Sequence, residues 1–443
     1  NMFFELKNIG AVKQAKIELG KLTIICGKNN TGKTYLTYSV YGFLRHLFSP
    51  SFQDIAKHFK SLNKEKLITN LKEKGTVKIN LKLAEKDLDH ITKLLSQAYT
   101  DKLPAVFNAN AEEFAKVEFH LGIEKQPIDY SIPFEWNTSQ YNAIKEKNSR
   151  ILEINLKSGI QGRRLIDFVI GGTLFEFFFK QNLSRPFILA AERVGIQLFQ
   201  KELDKNRSDL VNAFKKKRDF ALLEEHIAHF TLPIEKNLAF ARNTDVIKFN
   251  SFLKQEQPEL TTYLEDMLGI QYAIVDGQKV VKDKTTNTVL PHYMSSPSVR
   301  ALFDLHLWLK HQAKKGDILF IDEPELNLHP ENQLKMAQLL VRLINSGINV
   351  FITTHSDYIL KHFNNLLMLA NDFPNKPTLL KEFGYTPEET LRIDDVKAYV
   401  AHHDGTVSLV DIDEYGMVEN SFDDAMLQVN DISNKILFAI DNL

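Results

Sequence analysis

The sequence predicts an α/β fold in which a mixed sheet surrounds a phosphate-binding loop and a helical insertion interrupts the second half. Three observations predict it. The run Leu22-Thr23-Ile24-Ile25-Cys26 stops at a glycine, and a helical pattern follows over Tyr35 to Leu47. A second apolar run, Asp317 to Ile321, ends in Asp322-Glu323. A third, Val350 to Thr353, ends just before His355. Strands that read as continuous apolar runs are covered on both faces, as in a parallel sheet flanked by helices.

The first run feeds Gly27-Lys28-Asn29-Asn30-Thr31-Gly32-Lys33-Thr34, which reads G-x-x-x-x-G-K-T. Its glycines permit tight backbone curvature, so that successive N–H groups converge on phosphate oxygens at a helix N-terminus. Lys33 is expected to reach the β and γ phosphates and Thr34 to place its hydroxyl on Mg²⁺, with Tyr35 opening the helix beside them. Such a loop needs a magnesium carboxylate and a group that polarises water. Asp322 fits the first task and Glu323 the second.

Ahead of this loop, Phe3 to Ile9 and Lys16 to Leu19 read as short strands around Gly10. Val77 to Leu83, Val117 to Leu121 and Ile151 to Leu156 alternate with period two, as half-exposed strands of an antiparallel sheet do. Leu165 to Phe179 is the most lipid-like stretch, but it carries Asp167 and Glu176 and falls short of the roughly twenty residues a spanning helix needs, so a buried helix is expected. From Leu198 to Tyr263 the pattern is helical and polar, and Lys215-Lys216-Lys217-Arg218 within it reads as a solvated helix face or a basic patch. Asp276-Gly277 between Ile274-Val275 and Val280-Val281 is a hairpin signal. Pro291 to Ser298 leads into an amphipathic helix through Ala301, Leu302, Leu305, Trp308 and Leu309. After Glu323 come Leu326 to Pro330, a helix over Glu331 to Asn345, the Val350 strand, short strands near Gly405 and Gly416, and a helical stretch from Phe422 to Ile440.

Composition is that of an ordinary globular protein: 443 residues, 44% hydrophobic and 25% charged. This length suits one large domain with an insertion, or two domains. A net charge of -1 offers no global basic field to nucleic acid, although local patches remain open. Cys26 is the single cysteine, which excludes an internal disulfide and a cysteine-built zinc site. The start lacks a basic n-region and a long apolar h-region, so no signal peptide and a cytoplasmic location are expected.

Together these motifs resemble the ABC-type, AAA-family ATPase heads of the SMC, RecF and overcoming-lysogenisation-defect groups, and most closely the stand-alone ATPases of bacterial anti-phage systems. Gly27 to Thr34 matches the Walker A motif, Ile318 to Glu323 Walker B, Leu326 to Pro330 the D-loop and His355 the switch histidine. The resemblance covers Met2 to Leu47 and Pro291 to Leu360. It implies an ATPase head split over 1–197 and 266–443, with a helical insertion over 198–265. It implies ATP and Mg²⁺ as cofactors and no membrane. In such heads two copies sandwich two ATP molecules, and the signature segment of one caps the nucleotide of the other.

The candidate signature here is Met294-Ser295-Ser296-Pro297-Ser298. It departs from the usual serine-then-glycine pattern, because Pro297 cannot donate where a glycine amide would. Ser295 and Ser296, with Arg300 one turn later, are expected to take that load, at some cost to hydrolysis. Arg193, after the strand Phe187 to Leu189, is expected to contact phosphate or the facing subunit, or to form a surface ion pair. Gln161, Gln181 and Gln197 are all open as the Q-loop glutamine. Asp411 and Asp413 imitate nuclease acids, and the short stretch after His355 argues for an exposed hairpin instead. Adjacent His402 and His403 in a strand point to opposite faces, so one metal pocket rarely receives both.

Three functions stay open on these residues. The leading one is a slow ATPase switch that oligomerises through ATP and controls a separate effector, a nuclease, in anti-phage defence. The alternatives are an ATP-gated nuclease or DNA-repair ATPase acting directly on nucleic acid, and a scaffold that binds ATP but barely hydrolyses it.

Overall fold

The structure, a computed structural model, describes residues 2–48, 58–123, 129–157, 162–180, 184–200, 202, 205 and 230–418. Lys215 to Arg218, Gln161, Gln181 and the helical stretch expected over Phe422 to Ile440 lie outside them.

The chain opens with β1 (Met2–Ile9) and β2 (Val12–Glu18), paired antiparallel. It continues through β3 (Leu22–Cys26), buried along its whole length, into α1 (Lys33–Leu47). After α2 (Lys64–Lys74) comes β4 (Thr76–Asn80), shorter than the alternation over Val77 to Leu83 predicts. The reason is local: the Asn80 side chain accepts the Lys82 N–H at 3.0 Å, capping a helical turn over Leu81–Ala84. α3 (Leu88–Thr100) leads to β5 (Glu118–Ile123), β6 (Phe134–Asn137), β7 (Tyr141–Lys145) and β8 (Ile151–Leu156). These strands are antiparallel, as expected, but they form two sheets, ordered β2-β1-β5 and β4-β8-β7-β6. Next, α4 (Arg163–Phe175) runs into a π-turn at Glu176–Lys180. Leu165 and Phe168 of its first turns are exposed, but from Val169 through Phe179 every residue except Gly172 is buried, so the expected buried helix is buried over its second part. Among the described residues no helix is long and apolar enough to cross a membrane.

β9 (Pro186–Leu189) is followed by a helical segment over 193–200, then α5 (Leu232–Arg242) and α6 (Pro258–Leu268). β10 (Ile270–Val275), β11 (Gln278–Asp283) and β12 (Val289–Pro291) form an antiparallel sheet. Its first turn is the predicted Asp276-Gly277 hairpin, with both residues at positive φ, 50° and 73°. Then come α7 (Pro297–His311), β13 (Ile318–Asp322), α8 (Pro330–Asn345), β14 (Asn349–Thr354) and α9 (Asp357–Met368). β15 (Val396–Ala401), β16 (Val407–Leu409) and the hairpin of β17 (Asp411–Asp413) with β18 (Gly416–Val418) complete the described chain.

The chain divides into two compact units, Asn1–Glu18 with Tyr38–Pro186, and Leu19–Thr37 with Phe187–Leu443. The first centres on an aromatic cluster: the Tyr99 ring packs against Phe43 and Phe119 at 5.3 and 4.7 Å, and its hydroxyl donates to the Ser39 carbonyl at 2.7 Å. The second is built on a six-stranded mixed sheet ordered β16-β15-β3-β14-β13-β9. In it β15, β3, β14 and β13 are parallel, and β16 runs antiparallel to β15. One face buries Leu22, Ile24, Leu319, Ile321, Val350 and Ile352 against Trp308, Leu340 and Phe363 of α7, α8 and α9, in one continuous core. Leu260 and Leu264 of α6 join the same core. Each such side chain contributes about 1.5–3 kcal/mol on full burial.

Parallel strands end together, and their register sets what meets there. Asp322 lies opposite Thr353, and Thr353 opposite Ile25, so β3, β14 and β13 release their following loops side by side. In open α/β sheets ligands bind at such carboxyl ends.

Candidate nucleotide site

The loop after β3 is shaped by backbone rather than side chains. Gly27 has φ 135°, and a Cβ there would lie 2.4 Å from the Ala401 carbonyl oxygen of β15, so only glycine fits. Gly32 and Asn30 also take positive φ, 90° and 62°. The Thr31 hydroxyl closes the loop on the Lys28 carbonyl at 2.9 Å. Lys33 Nζ donates to the Gly27 and Lys28 carbonyls, both at 2.9 Å, which places its ammonium inside the curve of the loop. Burial pushes the Lys33 pKa down, and Glu323 and Asp322 oppose the shift. Lys28, Asn29, Asn30, Thr34 and Tyr35 are exposed along the same loop and the first turn of α1.

Thr34 and Asp322 come together as the motif predicts: the Thr34 hydroxyl lies 3.4 Å from Asp322 Oδ2. The other Asp322 oxygen accepts from the Thr353 hydroxyl of β14. Burial raises the Asp322 pKa to about 6, with a further push from the Glu323 charge, against the Thr353 bond and Arg193. A hydroxyl and a carboxylate are hard oxygen donors, so this pair suits Mg²⁺, which would hold and polarise nucleotide phosphates there.

Glu323 follows β13 in the left-handed region, at φ 53°. A non-glycine residue there costs roughly 1–3 kcal/mol and persists only where its surroundings fix it. Here the Glu323 N–H donates to the Thr353 carbonyl at 3.1 Å, and its own carbonyl accepts from Arg193 at 2.6 Å. Its carboxylate turns toward His355, whose Nδ1 lies 3.4 Å from Glu323 Oε1 and equally 3.4 Å from Glu325 Oε1. Glu325 is buried, and its Oε1 accepts the Thr354 hydroxyl and the His355 N–H at 2.9 Å each. Sequence reasoning passed over Glu325 and Thr353. The signal was there in the second carboxylate of Asp322-Glu323-Pro324-Glu325 and in the hydroxyls just before His355.

The other expected residues make different contacts from those predicted. Arg193 is 2% exposed, which rules out a surface ion pair, and its Nη atoms donate to the carbonyls of Ala190, Asp322 and Glu323. Gln197 is buried between Asp304 of α7 and Lys279 of β11. In the signature segment Ser296 is the N-cap of α7, its hydroxyl accepting the Val299 N–H at 3.4 Å and lying 3.0 Å from that of Ser298. Pro297 takes the first helical position, where a missing N–H leaves no broken bond. The Ser295 hydroxyl donates to the His292 carbonyl at 2.6 Å. Arg300 bends back onto the Tyr293 and Ser295 carbonyls, so it braces its own loop. Asp411 and Asp413 lie exposed on their hairpin, and Asp413 accepts the Tyr415 N–H across the turn at 2.8 Å. Among the described residues no group of three or more histidine, cysteine and carboxylate side chains is arranged to hold a metal ion.

A glycine loop with an inward lysine, a hydroxyl–carboxylate pair and a second acid beside a histidine at neighbouring strand ends define a P-loop nucleoside triphosphatase. A family profile described as "AAA ATPase domain" matches residues 2–293 and 197–360. The chain belongs to that family. It is also 43% identical over 61 residues to the Old nuclease of Escherichia phage P2, a match that takes in 13% of this chain and 10% of that protein, so the chain spans about a tenth of that relative's length. Among solved structures, the SMC head bound to the C-terminal winged-helix domain of ScpA aligns over 92% of this chain and 96% of its own, with 12% identity and a TM-score of 0.35. The SMC head domain from Thermotoga maritima aligns over 93% and 98%, with 10% identity and a TM-score of 0.31.

Proposed function

We propose that the chain is an ATP-driven molecular switch: it binds Mg-ATP at Gly27 to Tyr35, hydrolyses it slowly, closes head to head with a second copy, and passes its state to a separate effector. In this reading Lys33 holds the β and γ phosphates, Thr34 and Asp322 hold magnesium, Glu323 polarises the attacking water, and His355 senses the γ-phosphate. Ser295, Ser296 and Arg300 serve the nucleotide of the neighbouring copy. The observation that carries it is the meeting of Lys33, the Thr34–Asp322 pair and the Glu323–His355 pair at the ends of adjacent parallel strands. The motif resemblance to anti-phage ATPases supports a nuclease effector and a defence role.

A second reading, in which the chain itself acts on nucleic acid, draws support from the match to Old nuclease. Two variants test the leading one. Lys33→Ala should abolish ATP binding in a folded protein, read by calorimetry. Glu323→Gln should keep ATP and lose about 10²–10⁴-fold in turnover, as removal of a positioned base does. Unchanged affinity in the first or full turnover in the second removes those residues from the site. Cleavage of plasmid, linear DNA or RNA by the pure chain favours the second reading.

A further inference from the structure

Arg193 is among the largest fully buried side chains, and the acceptors of its Nη atoms are main-chain carbonyls. Desolvating a guanidinium is costly, and buried charges are retained where they hold something in place. What Arg193 holds is the end of β13. One Nη reaches the Asp322 carbonyl at 2.7 Å and the other the Glu323 carbonyl at 2.6 Å, on either side of the Glu323 Cα, which sits in its left-handed conformation. Thr353 fixes the amide side of the same residue. Glu323 is thus clamped from both ends of its own backbone, and the direction of its carboxylate follows.

The clamp is itself anchored. Gln197 lies one helical turn after Arg193, on the same face. It donates to Asp304 and accepts from Lys279 at 2.8 Å, and Lys279 pairs with Asp304 at 3.4 Å. All three side chains are shielded from water. On the other side, Asn237 of α5 bridges the Ile188 carbonyl and the Ala190 N–H, pinning the end of β9 just before Arg193. The short helix carrying Arg193 is therefore tied to α7, whose N-terminus is the candidate signature segment, and its first residue is tied to Glu323.

We propose that Arg193 is a positioning residue for hydrolysis, holding Glu323 in its left-handed conformation, and that Gln197 keeps the arginine in register with the signature helix through Asp304. The proposal rests on Glu323 acting on water. A lysine retains the charge but lacks the planar pair of Nη donors that reaches the Asp322 and Glu323 carbonyls in one fixed geometry. Arg193→Lys should leave ATP affinity and KM unchanged and lower kcat about 10²-fold, the scale of an ångström misplacement of a reacting group. Gln197→Met removes the tether at constant bulk while leaving Asp304 paired with Lys279. It should lower kcat in the same direction by less.

The deciding measurement is a double-mutant cycle with Glu323→Gln. Once the carboxylate is gone its placement no longer matters, so Arg193→Lys should cost nothing further in that background. An equal fold-loss in both backgrounds assigns Arg193 a merely structural role and overturns the proposal, as does wild-type kcat in folded Arg193→Lys. If Arg193→Lys does not fold, Gln197→Met with wild-type kcat overturns it. A wild-type protein that hydrolyses no ATP sinks the hydrolysis reading itself, which is a different outcome from an active enzyme indifferent to Arg193.

Discussion

Glu325 has more to do than its place two residues after Glu323 suggests. Its Oε1 gathers the Thr354 hydroxyl, the His355 N–H and the approach of the His355 ring, so one buried oxygen sets both the backbone and the imidazole of the residue after β14. Glu325→Ala would strand the buried Thr354 hydroxyl and an amide, which costs about 1–3 kcal/mol. The expected outcome is an unfolding free energy lower by that amount, read as a lower urea midpoint, with turnover falling as far as in His355→Ala. Glu325→Gln keeps an acceptor and should retain most of both. An unchanged midpoint in Glu325→Ala excludes the arrangement. Lys33, Thr34, Asp322, Glu323 and His355 were legible as residues because each sits in a contiguous motif with fixed spacing from a strand end. Arg193 and Gln197 were singled out as well, but what they hold was not legible, because it is supplied by segments far along the chain.

Elements were read most reliably where burial and turn chemistry agreed. β3 and β13 read as covered strands and are buried at every position, and Asp276-Gly277 gave its hairpin outright. The misread strand after Val77 ended early because Asn80 offered its side chain to the following turn, a local competition that alternation does not register. Pro297 is the first residue of α7, so it breaks no intrahelical bond, while the N–H it lacks is one that a helix N-terminus otherwise turns outward. The same helix carries a pH prediction. His306 of α7 is 1% exposed, packs its ring tilted against Tyr272 at 4.9 Å, and is pushed by burial down to about 3, with Lys310 and His311 adding to the shift. It is neutral near pH 7, so its 3.8 Å approach to Glu265 is not an ion pair there. A histidine depressed in the fold binds protons more weakly than in the unfolded chain. Its contribution to stability is present above the ordinary histidine value of about 6.5 and is lost as pH falls from there toward about 3. His306→Phe keeps the ring contact without the proton site. Its stability should fall less between pH 7.5 and pH 4.5 than that of the wild type. Equal losses in urea melts at the two pH values exclude His306 as a contributor.

At the scale of the molecule, strand order and the return of β15 beside β3 could not be read from the chain, because sheet neighbours are chosen by packing among segments hundreds of residues apart. The family could be read, because its motifs mark the ends of the strands that topology brings together. One consequence concerns assembly. The bonds of Ser295, Ser296 and Arg300 all stay within residues 292–300, while the lysine, hydroxyl, carboxylates and imidazole of the nucleotide site gather around β3, β13 and β14. The candidate signature segment ends in a capped helix N-terminus, a place where backbone N–H groups can meet an anion. If a second copy supplies it, hydrolysis depends on encounter. Turnover per chain should then rise with protein concentration near the assembly constant and level off above it, by mass action. Ser295→Arg places a long cation where the facing phosphate would approach and should abolish that rise while ATP affinity, measured by calorimetry, stays as in the wild type. The assay is steady-state phosphate release across a dilution series, with mass measured in parallel by light scattering. Turnover per chain that stays constant down to a demonstrated monomer would place the whole reaction within one head and leave the signature serines without a part in it.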